Sequence, residues 1–433
     1  MRETGKNSRQ HFSSGWHPLN CIELKYGAQD PLVLEISPSA LVADCRGPAG
    51  VTGAAASQCI AAAIANPPEG PPIAAHVVPG DRVTLAVAGD VPQLTEIVEA
   101  LLVQLSSAGV ASNDILVLHA PPLEPTAIAV PPLPLVSAQK LIGRANIVAF
   151  DPALEAETAC LATDEAGHPV HLAKALIDAD VVVAIGEWGW NAAIGGQSID
   201  GEIWPTFSRR ESREAFIRTL AKRGRRAIAD IRMSMQETIW TLGVCASLRV
   251  VVGHDQTLAA AAFGLPEAAA RQARTHAASW SPKVSGRAML TVVSLGCPQL
   301  GFSALTRAVA AASRVTHPTG TICIASCLSQ PPGIIFSRWR QGAPLEGLVH
   351  EALQTDDQTL IADALQTRFF ARAIGDRRLV LLSELDEGLV EELECGFAET
   401  PAVVQRLARR SQSVTVLHEA DRMLPQSPEN DDD

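Results

Sequence analysis

The stretch LIDADVVVAIGEWGWNAAIGGQ, residues 176–197, decides how the rest of the chain is interpreted. Residues 181–185 are continuously apolar and mostly β-branched, which is typical of a central parallel strand covered by helices on both faces. Two tryptophans, Trp188 and Trp190, follow this strand, and a Gly-Gly pair comes shortly after them. Ligands of open α/β sheets bind just beyond the carboxyl ends of strands, and glycine lets the backbone approach them closely. The sequence therefore predicts part of a site between residues 186 and 198.

Composition sets broad limits on the class of protein. The chain has 433 residues, which suggests two domains, and 47% of them are hydrophobic, which is enough for a sizeable core. The formal net charge of −12 argues against nucleic acid or an anionic membrane as a partner. Nine irregularly spaced cysteines favour reduced thiols over a disulfide framework. Without a secretory signal or a run of about 18 apolar residues, a soluble cytoplasmic protein is expected.

The apolar runs outside this stretch predict an α/β fold. Residues 22–26 and 31–36 alternate apolar and polar side chains, as half-exposed antiparallel strands do. A strand at 81–87, an amphipathic helix at 94–108 and a strand at 114–118 form a βαβ unit, which implies a partly parallel sheet.

Further along, residues 248–253 predict another strand, and the alanine-rich residues 256–275 predict a helix. A polar segment then precedes a second α/β series, with strands at 290–295 and 321–325 around a helix at 302–315. We expect two domains with parallel or mixed sheets flanked by helices, and a cleft between them.

Several segments resemble the nickel-pincer lactate racemases and their relatives. The sequence Gly167-x-Pro169-Val170, followed by Ala179-Asp180-Val181, is similar to a segment of that family. The most specific segment is SLGCP, residues 294–298, which is followed by a helix and by Pro318-x-Gly320-Thr321-Ile322, similar in residue type and in spacing. The resemblance covers most of the chain, from about residue 26 to residue 418.

The polar and charged segments predict the domain division. We expect a disordered N-terminus at 1–20, an N-terminal domain at 21–278, a C-terminal α/β domain at 288–424 and an acidic tail at 425–433. The resemblance makes the N-terminal domain lactate-racemase-like.

The resemblance also implies a chemistry. Racemisation at a carbon that bears a hydroxyl moves a hydride to an acceptor and back. It needs a base on each face, usually histidine, and a fixed cofactor. In this family the cofactor is a nickel-pincer nucleotide, which a lysine and histidines hold.

An ungapped match to the family replaces most of these residues. Ser198 stands where the family has its lysine, and Trp188 where it has a catalytic histidine. Glu214 replaces a nickel-binding histidine, and the turn that would hold substrate and cofactor becomes residues 88–92. His119 is displaced from the position of another histidine. Serine cannot form the lysine's covalent link, and tryptophan has no acceptor lone pair, so the family's active-site residues do not carry over.

Each candidate residue has a structural and a functional interpretation. The turn Gly195-Gly196 could hold a phosphate or be structural, and Trp188 and Trp190 could stack on a ligand or pack in the core. His119, at a strand end, could be catalytic or simply hydrogen-bonded.

Other candidates favour the structural interpretation. His168 and His171 are weak metal ligands, because positions i and i+3 of a strand face opposite sides. Cys297 could be a thiolate or a small buried residue. Cys323 and Cys327 have poor spacing for zinc. The basic cluster at 222–226 is expected to be a solvated turn.

The predicted site combines one candidate catalytic residue, His119, with a set of cleft residues and no assigned metal ligand. The cleft residues are Asp90, Trp188, Trp190, Gly195, Gly196, Gln197, Ser198, Cys297 and Gln299. The leading functional hypothesis is a 2-hydroxy-acid racemase or epimerase of the resembled family, with a nickel-pincer nucleotide if it is active. The alternatives are a non-catalytic or repurposed relative that binds a small-molecule acid, and a different enzyme that uses His119 or Cys297.

Overall fold

The computed structural model describes residues 19–121, 123, 145–163, 167–297 and 301–428. The N-terminal residues 1–18, most of the proline-rich stretch 121–134, Gln299 and the acidic residues 429–433 lie outside these ranges. The predictions made for them stay predictions.

The strands of the described residues are short, and most are buried. In chain order they are β1 Asn20–Leu24, β2 Leu32–Ile36, β3 Leu41–Cys45, β4 Val83–Ala88, β5 Ile115–Ala120, β6 Asn146–Ala149, β7 Thr158–Thr163, β8 Pro169–Ala173, β9 Val181–Glu187, β10 Trp190–Asn191, β11 Gly196–Gln197, β12 Ala246–Val252, β13 Leu258–Gly264, β14 Ala288–Ser294, β15 Thr316–Ala325, β16 Arg378–Leu382, β17 Gly396–Phe397 and β18 Val414–Leu417.

The helices cover the sheets and join the two halves of the chain. They are α1 Gly53–Ala65, α2 Leu94–Ser107, α3 Lys174–Ile177, α4 Ile203–Thr206, α5 Arg210–Arg223, α6 Ile228–Leu242, α7 Pro266–His276, α8 Phe302–Ser313, α9 Ile334–Arg340, α10 Leu345–Leu353, α11 Gln358–Ile374, α12 Glu387–Glu392 and α13 Pro401–Arg410. Within the ranges that the structure describes, no helix is both long and apolar enough to cross a membrane.

The first six-stranded sheet has the order β13-β12-β9-β4-β5-β6. All neighbours are parallel except β12 and β13, which are antiparallel. The chain passes from β4 to β5 and β6 on one side, whereas β9 and β12 lie on the other. The point where the strand order reverses is therefore between β4 and β9, and ligands of open α/β sheets bind at such points.

The second six-stranded sheet, β17-β16-β15-β14-β18-β3, is parallel throughout. Its order reverses between β14 and β18. The two sheets and their helices confirm the predicted α/β class with parallel and mixed sheets.

The alanine-rich residues 256–275 correct a prediction, because they do not form one helix. Residues Leu258–Gly264 are the edge strand β13, and α7 begins only at Pro266. Alanine has the highest helix propensity of the residues, but propensity is a weak determinant that tertiary packing overrides. Here the small residues Ala260 and Ala262 are buried beside α7, while Phe263 packs into the core that contains α1.

The N-terminal strands pack with the C-terminal half of the chain. The predicted antiparallel pair is confirmed as β1 and β2, whose apolar side chains contact residues of β14 and β18. Strand β3 extends the second sheet beside β18. The boundaries predicted at 21–278 and 288–424 remain a prediction, and the sheet pairing divides the chain differently, since β3 belongs to the second sheet.

A shared core and two arginines join the halves. One hydrophobic cluster contains residues of α5, α8 and α11 together. Arg218 of α5 donates to the carbonyl oxygens of Leu353 and Thr355, at 2.7 and 2.6 Å, just beyond α10. Arg368 of α11 donates to Ala221 and Lys222 at the end of α5, at 2.8 and 3.0 Å. Each arginine satisfies carbonyl groups that a helix end leaves without partners.

Candidate functional site

The reversal points of the two sheets face each other across a cleft. The carboxyl ends of β4 and β9 supply Asp90 and Glu187 from one side, and the segments after β14 and β18 supply Cys297 and Arg422 from the other. The cavity volume is about 220 Å³. Because carboxyl ends of parallel strands meet at one edge of each sheet, a fold of this kind collects polar side chains there.

Aromatic rings line the first-sheet side of the cleft. Trp188 is 2% exposed, and the structure gives its Nε1–H no hydrogen-bond partner among the described residues. It meets Trp190 edge to face, with ring centroids 5.0 Å apart. Trp190 donates to the Ala277 carbonyl oxygen at 3.1 Å, and the guanidinium of Arg274 lies 5.6 Å from its ring. The pair thus combines core packing with a wall of the cleft, and only Trp188 keeps an unpartnered buried donor.

Arg422 connects the two sheets across the back of the cleft. Its Nη1 donates to Glu187, the last residue of β9, and its Nη2 lies 3.2 Å from the Gln256 side-chain oxygen and 3.1 Å from the Cys297 sulfur. Burial alone would lower the pKa of Arg422, but Glu187 and the neighbouring acidic groups outweigh it and raise the pKa. Arg422 is therefore a permanent cation whose charge Glu187 neutralises.

Asp421 fixes the segment that carries Cys297. Its two carboxylate oxygens accept hydrogen bonds from the backbone N–H groups of Gly296 and Cys297, at 2.6 and 3.1 Å. Burial raises the pKa of Cys297 to about 11, although Arg422 opposes the rise. The thiol is therefore protonated near neutral pH, which argues against the hypothesis of a thiolate enzyme.

A second series of polar side-chain contacts joins the two sides of the cleft. Ser198 donates through its hydroxyl to Asp200 at 2.8 Å, and Asp200 lies 3.1 Å from Nη2 of Arg307 on α8. Ser198, in the place of the family's lysine, thus joins an acid–arginine pair that bridges the halves. No histidine and no lysine occurs among the described residues that line the cleft.

His119 lies under the cleft and does not line it. It is 6% exposed near the end of β5, and its Nε2 lies 3.1 Å from the Gly89 carbonyl oxygen, so the ring donates there. Burial lowers its pKa, which keeps the ring neutral near pH 7. This geometry makes His119 a support for the turn that presents Asp90. A catalytic role for it stays a prediction.

The surroundings of the Gly195-Gly196 turn favour its structural interpretation. The two glycines lie against arginine side chains and do not line the cleft. Arg225 donates to the carbonyl oxygens of Ala192 and Ala193, at 2.7 and 2.9 Å. Arg225 is therefore a structural residue, and the prediction that 222–226 is merely a solvated turn is wrong for it. Gln197 lines a separate groove, while Ser198 lines both the groove and the cleft.

The weaker metal candidates do not come together. His171 lies in β8, and neither it nor His168 belongs to a group of three potential ligands among the described residues. Cys323 is buried inside β15, where burial raises its pKa to about 12. Glu214, at the place of a nickel-binding histidine, pairs with Arg210 on the surface of α5 at 2.9 Å.

Five of the residues that line the cleft were named from the sequence: Asp90, Trp188, Trp190, Ser198 and Cys297. Glu187 lies within the predicted stretch 186–198 but was not named. The sequence analysis missed Asp200, Gln256, Arg307, Asp421 and Arg422. A signal for the last two was present, since the charged sequence HEADR at 418–422 directly follows an apolar strand. Charged residues at the end of a buried parallel strand favour a site.

Residues 26–195 match the family model of the lactate racemase N-terminal domain. This match assigns the segment 26–195, which is less than half of the chain, to that domain family. No curated protein matches the sequence significantly. The lactate racemase apoprotein of Thermoanaerobacterium thermosaccharolyticum has a similar fold, with a TM-score of 0.69 at 16% identity, over 94% of this chain and all of that chain. A Thermotoga maritima protein superposes with a TM-score of 0.58 at 12% identity, over 86% of this chain and 98% of that chain.

The described cleft residues do not fit the nickel-pincer nucleotide of lactate racemases. The ungapped match puts Ser198, which is bound to Asp200, at the lysine position and Trp188, whose Nε1–H can only donate, at the histidine position. Nickel prefers imidazole nitrogen or thiolate ligands, and the one cysteine in the lining keeps its proton near pH 7. The cavity of about 220 Å³ is also smaller than the roughly 300 Å³ at the low end of ligand pockets.

Proposed function

We propose that this chain is a repurposed member of the lactate racemase family that binds a small organic acid in the cleft and does not racemise it through a nickel-pincer nucleotide. The observation that carries the proposal is the environment of Ser198, the residue that the ungapped match puts at the position of the family's lysine. Ser198 is hydrogen-bonded to Asp200, and Asp200 contacts Arg307. Hydride transfer and return need a cofactor and a base on each face. The described lining supplies neither histidine nor lysine for these steps.

The described lining of the cleft carries two arginines, Arg307 and Arg422, and four carboxylates, Asp90, Glu187, Asp200 and Asp421. The proposed ligand anion is placed at Arg307, because Arg422 pairs with Glu187. Asp421 accepts hydrogen bonds from two backbone N–H groups. Arg307 lies 3.1 Å from Asp200, whose side chain is 41% exposed. A ligand carboxylate can replace the partly solvated Asp200 contact with a bidentate hydrogen-bonded pair, the geometry that arginine favours.

The unpartnered Nε1–H of Trp188 supports a ligand that carries a hydroxyl or carbonyl oxygen beside its carboxylate. A buried N–H without an acceptor costs about 1–3 kcal/mol, so a ligand oxygen at this position gains by accepting from it. The size of the cavity limits the ligand to a small molecule. A 2-hydroxy acid, the substrate class that the family implies, meets these requirements.

The competing function is a 2-hydroxy-acid racemase, favoured by the family domain at 26–195. The two functions are distinguished by incubating the purified protein with D- or L-lactate and following the stereochemistry, alongside nickel analysis. We expect no nickel and no change of configuration. Nickel that co-purifies with the protein, together with racemisation, would overturn the proposal.

Binding is tested separately by thermal stability with lactate, with its amide lactamide and with the variant Arg307→Gln. Lactate at about 100 times Kd should stabilise the folded protein by about 2.7 kcal/mol, and lactamide or Arg307→Gln should remove most of that gain. The matched control is Arg338→Gln, an exposed arginine of α9 that pairs with Glu351. Equal stabilisation by lactamide would contradict recognition of the carboxylate.

A further inference from the structure

A second cavity lies on the face of the first sheet, apart from the cleft. Helices α6 and α7 form its walls and the segment around Ser198 closes one end, and its volume is about 770 Å³. This is within the roughly 300–1,000 Å³ of small-molecule pockets. None of the cleft's acidic or arginine side chains lines this groove.

The walls of the groove are apolar, and part of that surface is open to solvent. Met235, Ile239, Trp240, Leu265 and Ala270 contribute to them. Trp240 is 71% exposed and Leu265 is 46% exposed. Contiguous apolar surface of this kind in a concave site indicates a partner or ligand, because isolated exposed residues would not gather around one cavity.

Among the described residues that line the groove, Arg232 is the arginine with which no carboxylate pairs. Arg271 pairs with Glu69 at 2.5 Å, and Arg249 with Glu202 at 2.7 Å. Arg232 donates from Nη2 to the Gln197 carbonyl oxygen at 2.8 Å, and its Nε is buried without a hydrogen-bond partner among the described residues.

The buried Arg249 supplies a second, independent sign of a missing acceptor. It is 3% exposed and lines the same cavity, with its Nη atoms on the Gly201 carbonyl oxygen and on Glu202. Its Nε also has no partner among the described residues. Two buried guanidinium N–H groups that lack acceptors next to apolar walls favour a ligand with an anionic head and an apolar body.

We propose that this groove binds an amphipathic monocarboxylate, whose carboxylate pairs with Arg232 and whose hydrocarbon chain lies along Met235, Ile239 and Trp240. The site is distinct from the cleft, and its occupancy does not depend on the function proposed above. The two cavities share Ser198, and Arg249 holds the backbone of Gly201, which lines the cleft. The ligand therefore sits against the segment that separates the two sites.

The experiment measures binding of hexanoate, octanoate and decanoate to the full chain by calorimetry, below their micelle concentrations. Affinity should rise roughly fourfold for each added methylene group, as expected for buried hydrocarbon. Decanol and decyl-trimethylammonium are the matched neutral and cationic probes, and both should bind at least tenfold more weakly than decanoate.

Two variants test separately the contributions of the ligand's carboxylate and of its hydrocarbon chain. Arg232→Gln should weaken decanoate binding by about tenfold or more while leaving decanol unchanged, since a hydrogen bond to a charged group contributes about 1.5–3 kcal/mol. Ala270→Phe should weaken both probes by filling the groove. Arg226→Gln, an exposed arginine outside both cavities, is the control and should change neither.

Three results would overturn the proposal. They are affinity that does not depend on chain length, equal binding of the cationic probe, and a stable dimer in light scattering that Ala270→Phe dissociates. The last result would assign the groove to a second copy of the chain. The folding of each variant is checked by its thermal transition, so that a loss of binding can be attributed to the groove.

Discussion

The ion pair between Arg422 and Glu187 is the most informative contact to perturb, because it joins the segment after β18 to the end of β9. Their side chains are 13% and 27% exposed. Replacing Arg422 by methionine keeps most of the side-chain volume but removes the charge and the contacts with Gln256 and Cys297. Glu187 is then left as an uncompensated carboxylate in a mostly buried position.

The magnitude follows from the burial of the two partners. Removing one partner of a fully buried pair costs about 3–5 kcal/mol, and exposed pairs contribute about 0.2–1 kcal/mol. Since Glu187 keeps about a quarter of its surface in water, we expect Arg422→Met to lower the free energy of unfolding by about 3 kcal/mol. The coupling energy with Glu187→Met should be about 2 kcal/mol.

The assay is a double-mutant cycle with Glu187→Met, Arg422→Met and the double variant, measured by urea unfolding at low and at high salt. The double variant should recover much of the loss, because no unpaired charge remains. Salt should change the coupling little, since buried pairs are screened less than surface pairs. A coupling energy below about 0.5 kcal/mol, the usual limit of additivity, would refute the claim that this pair connects the two sheets.

Three further predictions concern separate parts of the molecule. Burial lowers the pKa of His119 in the folded state, so its stabilisation is present above the unfolded pKa of about 6.5 and is lost as the pH falls below it. In thermal scans across this range His119→Gln should show a shallower pH dependence than the parent, and an unchanged slope would contradict this.

Cys297, with a pKa of about 11, should react with iodoacetamide slowly at neutral pH and roughly tenfold faster per pH unit above it. Mass spectrometry checks this against the exposed Cys21, and fast labelling of Cys297 at pH 7 would contradict it. Arg218→Ala should lower the free energy of unfolding by about 1.5–3 kcal/mol, against about 0.5 kcal/mol for the exposed control Arg210→Ala, and equal losses would contradict the capping role.

Local patterns predicted most elements, and the exceptions have physical causes. The βαβ unit could be predicted because its periodicities differ clearly: β4 is buried throughout, β5 is buried except at Leu116, and α2 is buried on one face. Strand β13 could not be predicted, because alanine is compatible both with a helix and with a crowded strand. Only the packing of these residues against α1 and α7 distinguishes the two structures. The Gly195-Gly196 turn was predicted to line the cleft and does not, because Arg225 and Arg232 pack against it. These arginines lie about 30 residues later in the sequence, so no local pattern reveals the contact.

Local patterns along the chain were enough to predict the α/β class, the order of most strands and helices, and a glycine- and tryptophan-rich segment at the end of a buried strand. These features follow from local periodicity and from the backbone preferences of single residues. The packing of the two sheets brings this segment to Cys297 and Arg422, and it joins Ser198 to Arg307 through Asp200. Such contacts join residues more than a hundred positions apart, and their geometry depends on how two sheets pack, which no local pattern encodes.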